Sequence, residues 1–296
     1  MGQCTIDIRS ILSRREVRAL PAPPMTRTMI TMKRTQTIAI LSAALLTVSC
    51  SLKENRQPCP CWLDIDLEGC AAVQQENGGK AVNVSAWNDR FIFEEIVAQE
   101  DYGKTCEKAV PKSYVSTSVV SGEEMMVRDG YQLIIPVGED ADEIWAHAGH
   151  VACLGETARD KAVLHKQFAR VKVKIENPVG DRYPYSFRLR GSIYGLDLRN
   201  LHPIEGMTDM SLTRGKDDIM DFKLIRQTDD SQIKIDVYEG KEKLETLPID
   251  EWIRELGYRW DDEDLEDINI NIDYAKGEIT VKINDWVDGG SIKIEI

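Results

Sequence analysis

The chain has 296 residues, 42% of them hydrophobic, and its 50 acidic side chains outnumber 37 lysines and arginines for a net charge of −13. An acidic surface of this kind repels phosphate backbones, which argues against nucleic acid as a partner. It also disfavours unassisted attachment to anionic lipid, so any membrane association needs a separate anchor.

Residues 1–31 carry Arg14, Arg15, Arg18 and Arg27 with Pro21, Pro23 and Pro24, and they precede a complete export signal. They are expected to be a misassigned upstream extension, with translation starting at Met32, Met25 or Met29; a genuine basic extension is the alternative. Residues 32–49 have the layout of a secretory signal peptide. Met32-Lys33-Arg34 gives the basic start, Thr35 to Val48 the apolar stretch and Ser49 the small residue before cleavage. Cys50 then stands at the first mature position, so the segment resembles a lipoprotein signal and Cys50 is the expected lipidation site. One departure is Thr47, three residues before the cysteine, where lipoproteins usually carry Leu, Val or Ile; Leu46 lies one step further out. The rival is a transmembrane anchor, but a run of about 14 residues falls short of the about 20 that a bilayer core requires. Three acyl chains, as bacterial lipoproteins usually have, exceed the two signals needed for stable anchoring. Residues 1–49 hold seven basic and two acidic side chains, so the chain from Cys50 onward carries −18.

Residues 50–58 form a polar tether. Beyond it, Cys61, Leu63, Ile65 and Leu67 alternate with Trp62, Asp64, Asp66 and Glu68, the pattern of a half-buried strand. Gly78-Gly79 marks a turn, and further strands are expected at Ala81–Ala86, Arg90–Val97, Tyr114–Val120, Tyr131–Val137 and Ile144–His150. Gly155 to Lys166 is polar, with room for one helical turn. Alternation resumes at Phe168–Glu176, Tyr185–Tyr194, Phe222–Ile225 and Ile233–Tyr238. Leu247–Leu256 has helical spacing through Ile249, Trp252, Ile253 and Leu256, with Pro248 near its start and Gly257 after it. Three strands follow at Ile268–Tyr274, Glu278–Asn284 and Ser291–Ile296, joined by turns at Ala275–Gly277 and Asp288–Gly290. Short strands with turn signals at roughly ten-residue spacing predict an all-β fold. Two β-sandwiches fit, residues 59–160 and 161–296, with one short helix in the second.

Few residues carry chemistry. Cys59, Cys61, Cys70, Cys106 and Cys153 remain after Cys4 and Cys50 are set aside, all in the first half of the mature chain. Export makes them candidates for one or two disulfides, with at least one left unpaired. Cys59 and Cys61 cannot readily close on each other, because alternate residues of an extended stretch point the same way. His147, His150 and Cys153 have metal-ligand types, but on a strand i and i+3 face opposite sides and no fourth ligand is evident, so no metal site is expected. The acidic run Asp261-Asp262-Glu263-Asp264 lacks the spaced ligands and central glycine of a calcium loop and is expected to be a solvated loop. Asn83-Val84-Ser85 matches a glycosylation sequon, discounted because Val84 belongs to a core strand. No nucleophile elbow, phosphate loop or His-Glu-x-x-His occurs, so neither a catalytic residue nor a cofactor is expected.

The order of these features resembles the FimB-type (Mfa-type) fimbrial anchor subunits of Bacteroidales. The residues that carry the resemblance are Cys59-Pro60-Cys61-Trp62-Leu63-Asp64-Ile65-Asp66 after the lipid cysteine, and Phe168-Ala169-Arg170-Val171-Lys172-Val173 at the start of the second half. Ile268–Tyr274 and the closing Val281-Lys282-Ile283-Asn284-Asp285-Trp286 add to it, over nearly all of residues 50–296. Gly195 to Asp218 does not match. The resemblance implies two transthyretin-like sandwiches held at the outer membrane by lipid, anchoring a fimbria and limiting its length, with a fimbrial stalk subunit as partner through strand addition. Two other readings stay open. One is a lipid-anchored glycan- or protein-binding module with Trp87, Trp145, Trp252, Trp260 and Trp286 as stacking platforms. The other is a polymerising stalk or tip subunit cut at Arg56 or Lys53.

Overall fold

The computed structural model describes residues 59–71, 73, 81–103, 106–176, 185–215, 218–273, 278–283 and 291–295, those from 273 onward by backbone only. The upstream extension, the export signal, Cys50, the tether, the three expected turns and Trp286 lie outside the described residues.

The alternating segments build an all-β tandem sandwich. Strand β1 (Cys61–Asp66) buries Cys61, Leu63 and Ile65 completely. It lies between β4 (Cys106–Val110), antiparallel to it, and β9 (Thr157–Lys161), parallel to it. The facing sheet runs β10 (His165–Lys166), β8 (Trp145–Cys153), β5 (Ser113–Ser121), β2 (Val82–Asn88) and β3 (Phe91–Val97). Leu63, Ile65, Val84, Val119 and Trp145 meet in the first core.

The second sandwich repeats the device. Strand β11 (Phe168–Glu176) lies between antiparallel β14 (Ile219–Ile225) and parallel β17 (Ile268–Asp273). Antiparallel β18 (Glu278–Ile283) and β19 (Ser291–Glu295) extend that sheet. Its partner sheet is built on β12 (Tyr185–Asp197), flanked by β13 (His202–Leu212) and β15 (Ile233–Glu239), with β16 (Glu242–Pro248) beyond β15. Helix α1 (Ile249–Glu255) adds Ile249, Trp252 and Ile253 to the second core.

Strand β12 also reaches back. Its first half, Tyr185 to Gly191, pairs with β15, whereas Gly195 to Asp197 pairs with β7 (Gln132–Ile134), itself in a hairpin with β6 (Val127–Asp129). Register shifts at Gly191, Ile193 and Gly195 divide the two halves. A third apolar cluster gathers Ile193, Leu196 and Leu198 with Leu133, Ile144, Trp87 and Val120. Strand β8 therefore buries both faces: Trp145 and Val151 enter the first core, Ala146 the third.

Three expectations are corrected. The segment Gly155–Lys166 contains β9 and β10 and no helical turn. It is polar because β9 is an edge strand, where only Ala158 and Asp160 share the register of the inward-facing Leu63 and Ile65. The strand expected at Tyr131–Val137 is a regular strand only over Gln132–Ile134, with single backbone hydrogen bonds at Tyr131 and Ile135 continuing it. Leu247 and Pro248 end β16, so the helix starts at Ile249.

Gly195 permits the junction. A Cβ there would sit 2.5 Å from the Leu133 carbonyl oxygen, backbone that cannot swing aside. Gly195→Ala should therefore cost more than about 1 kcal/mol in denaturant unfolding. Gly103→Ala, where an added Cβ meets nothing within 4 Å, should stay within about 0.5 kcal/mol. Equal effects of the two would contradict this account.

Candidate functional site

Among the described residues the sheet edges differ in how they are protected. An edge strand exposes unpaired backbone donors and acceptors, and charged side chains are the usual defence against unwanted pairing. Strands β9, β13 and β16 carry Arg159, Lys161, Glu205, Asp209, Glu242 and Lys243. Strand β3 carries two charges as well, Glu94 and Glu95, but sets two exposed isoleucines beside them. Its sequence is Phe-Ile-Phe-Glu-Glu-Ile-Val, apolar on both faces. Phe91, Phe93 and Val97 pack against the first core, while Ile92 and Ile96 are 72% and 75% exposed, with Glu94 the charge between them. Among the described residues β2 is its one ladder neighbour.

The inner side of β3 is tied to the facing sheet. Glu95 takes a 2.6 Å ion pair from Lys108 of β4, whose ammonium also lies 5.0 Å from the centre of the Phe93 ring. This clasp joins the edge strands of the two facing sheets. Both partners are partly exposed, so the ion pair itself contributes at most about 1 kcal/mol.

A second polar contact joins the sheets inside the sandwich. Thr117 Oγ1 on β5 donates to Asp160 Oδ2 on β9, and His147 Nε2 on β8 lies 3.3 Å from the same oxygen. His147 Nδ1 accepts the Val163 N–H at 3.4 Å, which leaves Nε2 to carry the proton toward Asp160. Burial raises the pKa of the Asp160 carboxyl, but the hydrogen bonds from His147 and Thr117 outweigh it and hold the pKa below its ordinary value. Gly149 makes the room: a Cβ there would stand 2.5 Å from Thr117 Oγ1 and 2.6 Å from Asp160 Oδ2. Thr117 and His147 both address Asp160 and not each other, so the imidazole does not activate the hydroxyl.

The residues singled out from the sequence are dispersed. His147 points inward to Asp160 while His150 meets Ser116 at 3.2 Å on the outer face, as strand alternation requires. Among the described residues no group of three His, Cys, Asp or Glu side chains is placed to hold a metal. Trp87, Trp145, Trp252 and Trp260 are core residues, not stacking platforms. The acidic run is exposed, as expected, but it is also clasped. Arg226, buried beneath it, donates to the Trp260 and Glu263 carbonyls, and Asp264 accepts the Lys166 N–H at 2.6 Å. A cleft of about 430 Å³ lies beside this loop, lined by Gln167, Arg226, Asn200 and Trp260. Cys61, Cys70, Cys106 and Cys153 are buried and Cys59 is exposed, all as free thiols.

Sequence patterning places a strand at Arg90–Val97 but does not mark it as an edge, and it does not bring Asp160 to Thr117 and His147. A signal for the edge was present: a strand apolar at both parities, as in Phe91 to Ile96, must leave one face uncovered unless a second layer lies on it.

No protein-family model matches this sequence, and no curated protein matches it by sequence. Solved structures match in fold. A candidate polysaccharide-binding protein from Bacteroides thetaiotaomicron aligns with a TM-score of 0.56 at 10% identity, over 79% of this chain and 98% of that one. The fimbrial anchor protein Mfa2 from Porphyromonas gingivalis gives 0.52 at 11% identity, over 77% and 97%. A candidate adhesin from Bacteroides ovatus gives 0.51 at 10% identity, over 79% and 96%.

Asp160→Asn tests the interior contact. Because the folded carboxyl is held below its unfolded pKa of about 3.9, its contribution is complete above that value and is lost as pH falls through the folded pKa. The variant should lose about 1–3 kcal/mol at pH 7, and the gap to wild type should narrow below about pH 4. Urea unfolding at pH 7 and pH 3 measures both, and a gap that widens in acid would refute the assignment.

Proposed function

We propose that this chain is an outer-membrane lipoprotein, held by lipid on Cys50, that anchors a fimbria at the cell surface and limits its length. A fimbrial stalk subunit joins it by strand addition. The observation that carries this reading is the edge of β3, which among the described residues pairs with β2 alone. A strand laid along Phe91–Val97 would satisfy the free backbone groups and cover Ile92 and Ile96, with the alternate side chains setting register. The fold shared with the Mfa2 anchor protein supports the same reading, as does the export signal that ends at Cys50. The lipid end and the pairing edge then divide the work: one fixes the fibre's base in the membrane, the other starts its growth. A glycan-binding module is less well supported, because four of its five candidate platform tryptophans are in the cores.

Two variants separate attachment from assembly. Cys50→Ala should lose incorporation of labelled palmitate and move from the outer-membrane fraction to the soluble one. Ile92→Lys/Ile96→Lys should stay in the membrane at wild-type levels and thermal stability, since both side chains face solvent, while fibres are shed into the medium. Retention of Cys50→Ala in the membrane would sink the lipid anchor. Normal fibres on the double variant would sink the β3 edge. N-terminal analysis of membrane-extracted protein should find a blocked Cys50; a free terminus at Gln57 would indicate a polymerising subunit instead.

A further inference from the structure

Cys61 and Cys153 belong to different sheets, yet the strand registers bring them to the same place. Cys61 on β1 lies opposite Val110, the last residue of β4. Cys153 on β8 lies opposite Ser113, the first residue of β5. Only Pro111 and Lys112 separate β4 from β5, and that short link carries the chain from one sheet to the other. Both cysteines therefore flank one crossing, one in each sheet. Both side chains are fully buried in the same apolar cluster, and the Cys61 thiol adds to burial in raising the pKa of the Cys153 thiol.

We propose that Cys61 and Cys153 form a disulfide that joins the two sheets of the first sandwich, leaving Cys59, Cys70 and Cys106 as thiols. The other cysteines have different surroundings: burial and then Asp66 raise the pKa of Cys70, and Cys106 Sγ lies 3.9 Å from Glu95 Oε2. The reaction is thiol–disulfide exchange. One thiolate attacks a sulfur of an oxidising disulfide, small-molecule or oxidoreductase, and releases one of its thiolates; the second protein thiolate then attacks the protein sulfur of the mixed disulfide and displaces the other. Two protons and two electrons leave the pair, and the oxidant departs as two thiols. Burial, with Cys61 beside it, pushes the Cys153 thiol up to about 12, and a protonated thiol is a poor nucleophile. The bond therefore forms on the open chain, before the core closes over it.

In the cell the oxidant comes with export. In the tube oxidised glutathione replaces it, so the bond and the export reading are tested separately. The full chain is refolded from the reduced state in a glutathione redox buffer, alkylated and mapped by mass spectrometry without reduction. The expected result is the peptide carrying Cys61 joined to the peptide carrying Cys153, with Cys59, Cys70 and Cys106 alkylated. Cys59, Cys61 and Cys70 share one tryptic peptide, so Cys59→Ser/Cys70→Ser should keep the link and Cys61→Ser should abolish it. Reduction should lower Tm by on the order of 10 °C in wild type and leave Cys61→Ala/Cys153→Ala unmoved. If the Cys61 variants fail to fold, the Cys59→Ser/Cys70→Ser map decides alone. A link from Cys153 to any other cysteine, or native protein with Cys61 and Cys153 both alkylated, overturns the proposal.

Discussion

Strand β12 cannot keep one neighbour along its whole length on the side it shares with β15, and the arrangement of the molecule follows from that. Its thirteen residues outrun β15 after Gly191, and the exposed remainder, Gly195 to Asp197, is completed by β7 from the first half of the chain. The backbone groups of Gly195 to Asp197 that face away from β13 would otherwise be left unpaired beside an apolar cluster, at a cost comparable to a lost hydrogen bond each. The register shifts between Gly191 and Gly195 re-aim Ile193 and Leu196 toward that cluster. A small side-chain requirement at Gly195 thus controls whether two sets of strands share a sheet.

Charged groups reinforce the same plan where apolar contact ends. Asp142, nearly buried, accepts the backbone N–H groups of Glu124, Met125 and Met126 on one oxygen at 2.8 Å each. This ties the start of the segment that carries β6 and β7 to its end. In the second sandwich Asp236, fully buried, faces Arg190, Thr246 and Lys243. Burial would raise its pKa, but the Thr246 hydrogen bond and the two cations hold it low. A chain so acidic overall places its internal carboxylates where cations or N–H groups already wait.

Much of this was legible in the residues, for a definite reason. Phe168–Glu176 was found to the residue because Val171, Val173 and Ile175 face a core while Arg170 and Lys172 face solvent, and alternation of that kind has no helical reading. Thr157–Lys161 and His202–Leu212 were missed because edge strands bury little and show no apolar period. The pairing of β1 with β9 and of β11 with β17, the device common to both sandwiches, left no repeat in the sequence. Similarly, five cysteines announced themselves but not their partners. Choosing among them required knowing that Val110 and Ser113 flank a change of sheet.

The parallel pair β1 and β9 also governs how the chain can be made. A polypeptide that emerges N-terminus first presents Trp62 and Leu63 long before Thr157 and Ala158 exist to pair with them. The same delay separates Val171 from Ile268 in the second sandwich. Contacts so distant in sequence form slowly, because loop closure must precede any gain from pairing. Through that interval the Cys61, Leu63, Ile65 face stands open, and in the finished molecule Ile92 and Ile96 remain exposed. The order of synthesis therefore sets the order of closure: β1 waits for residues 157–161 and β11 for residues 268–273 before either sheet can be completed.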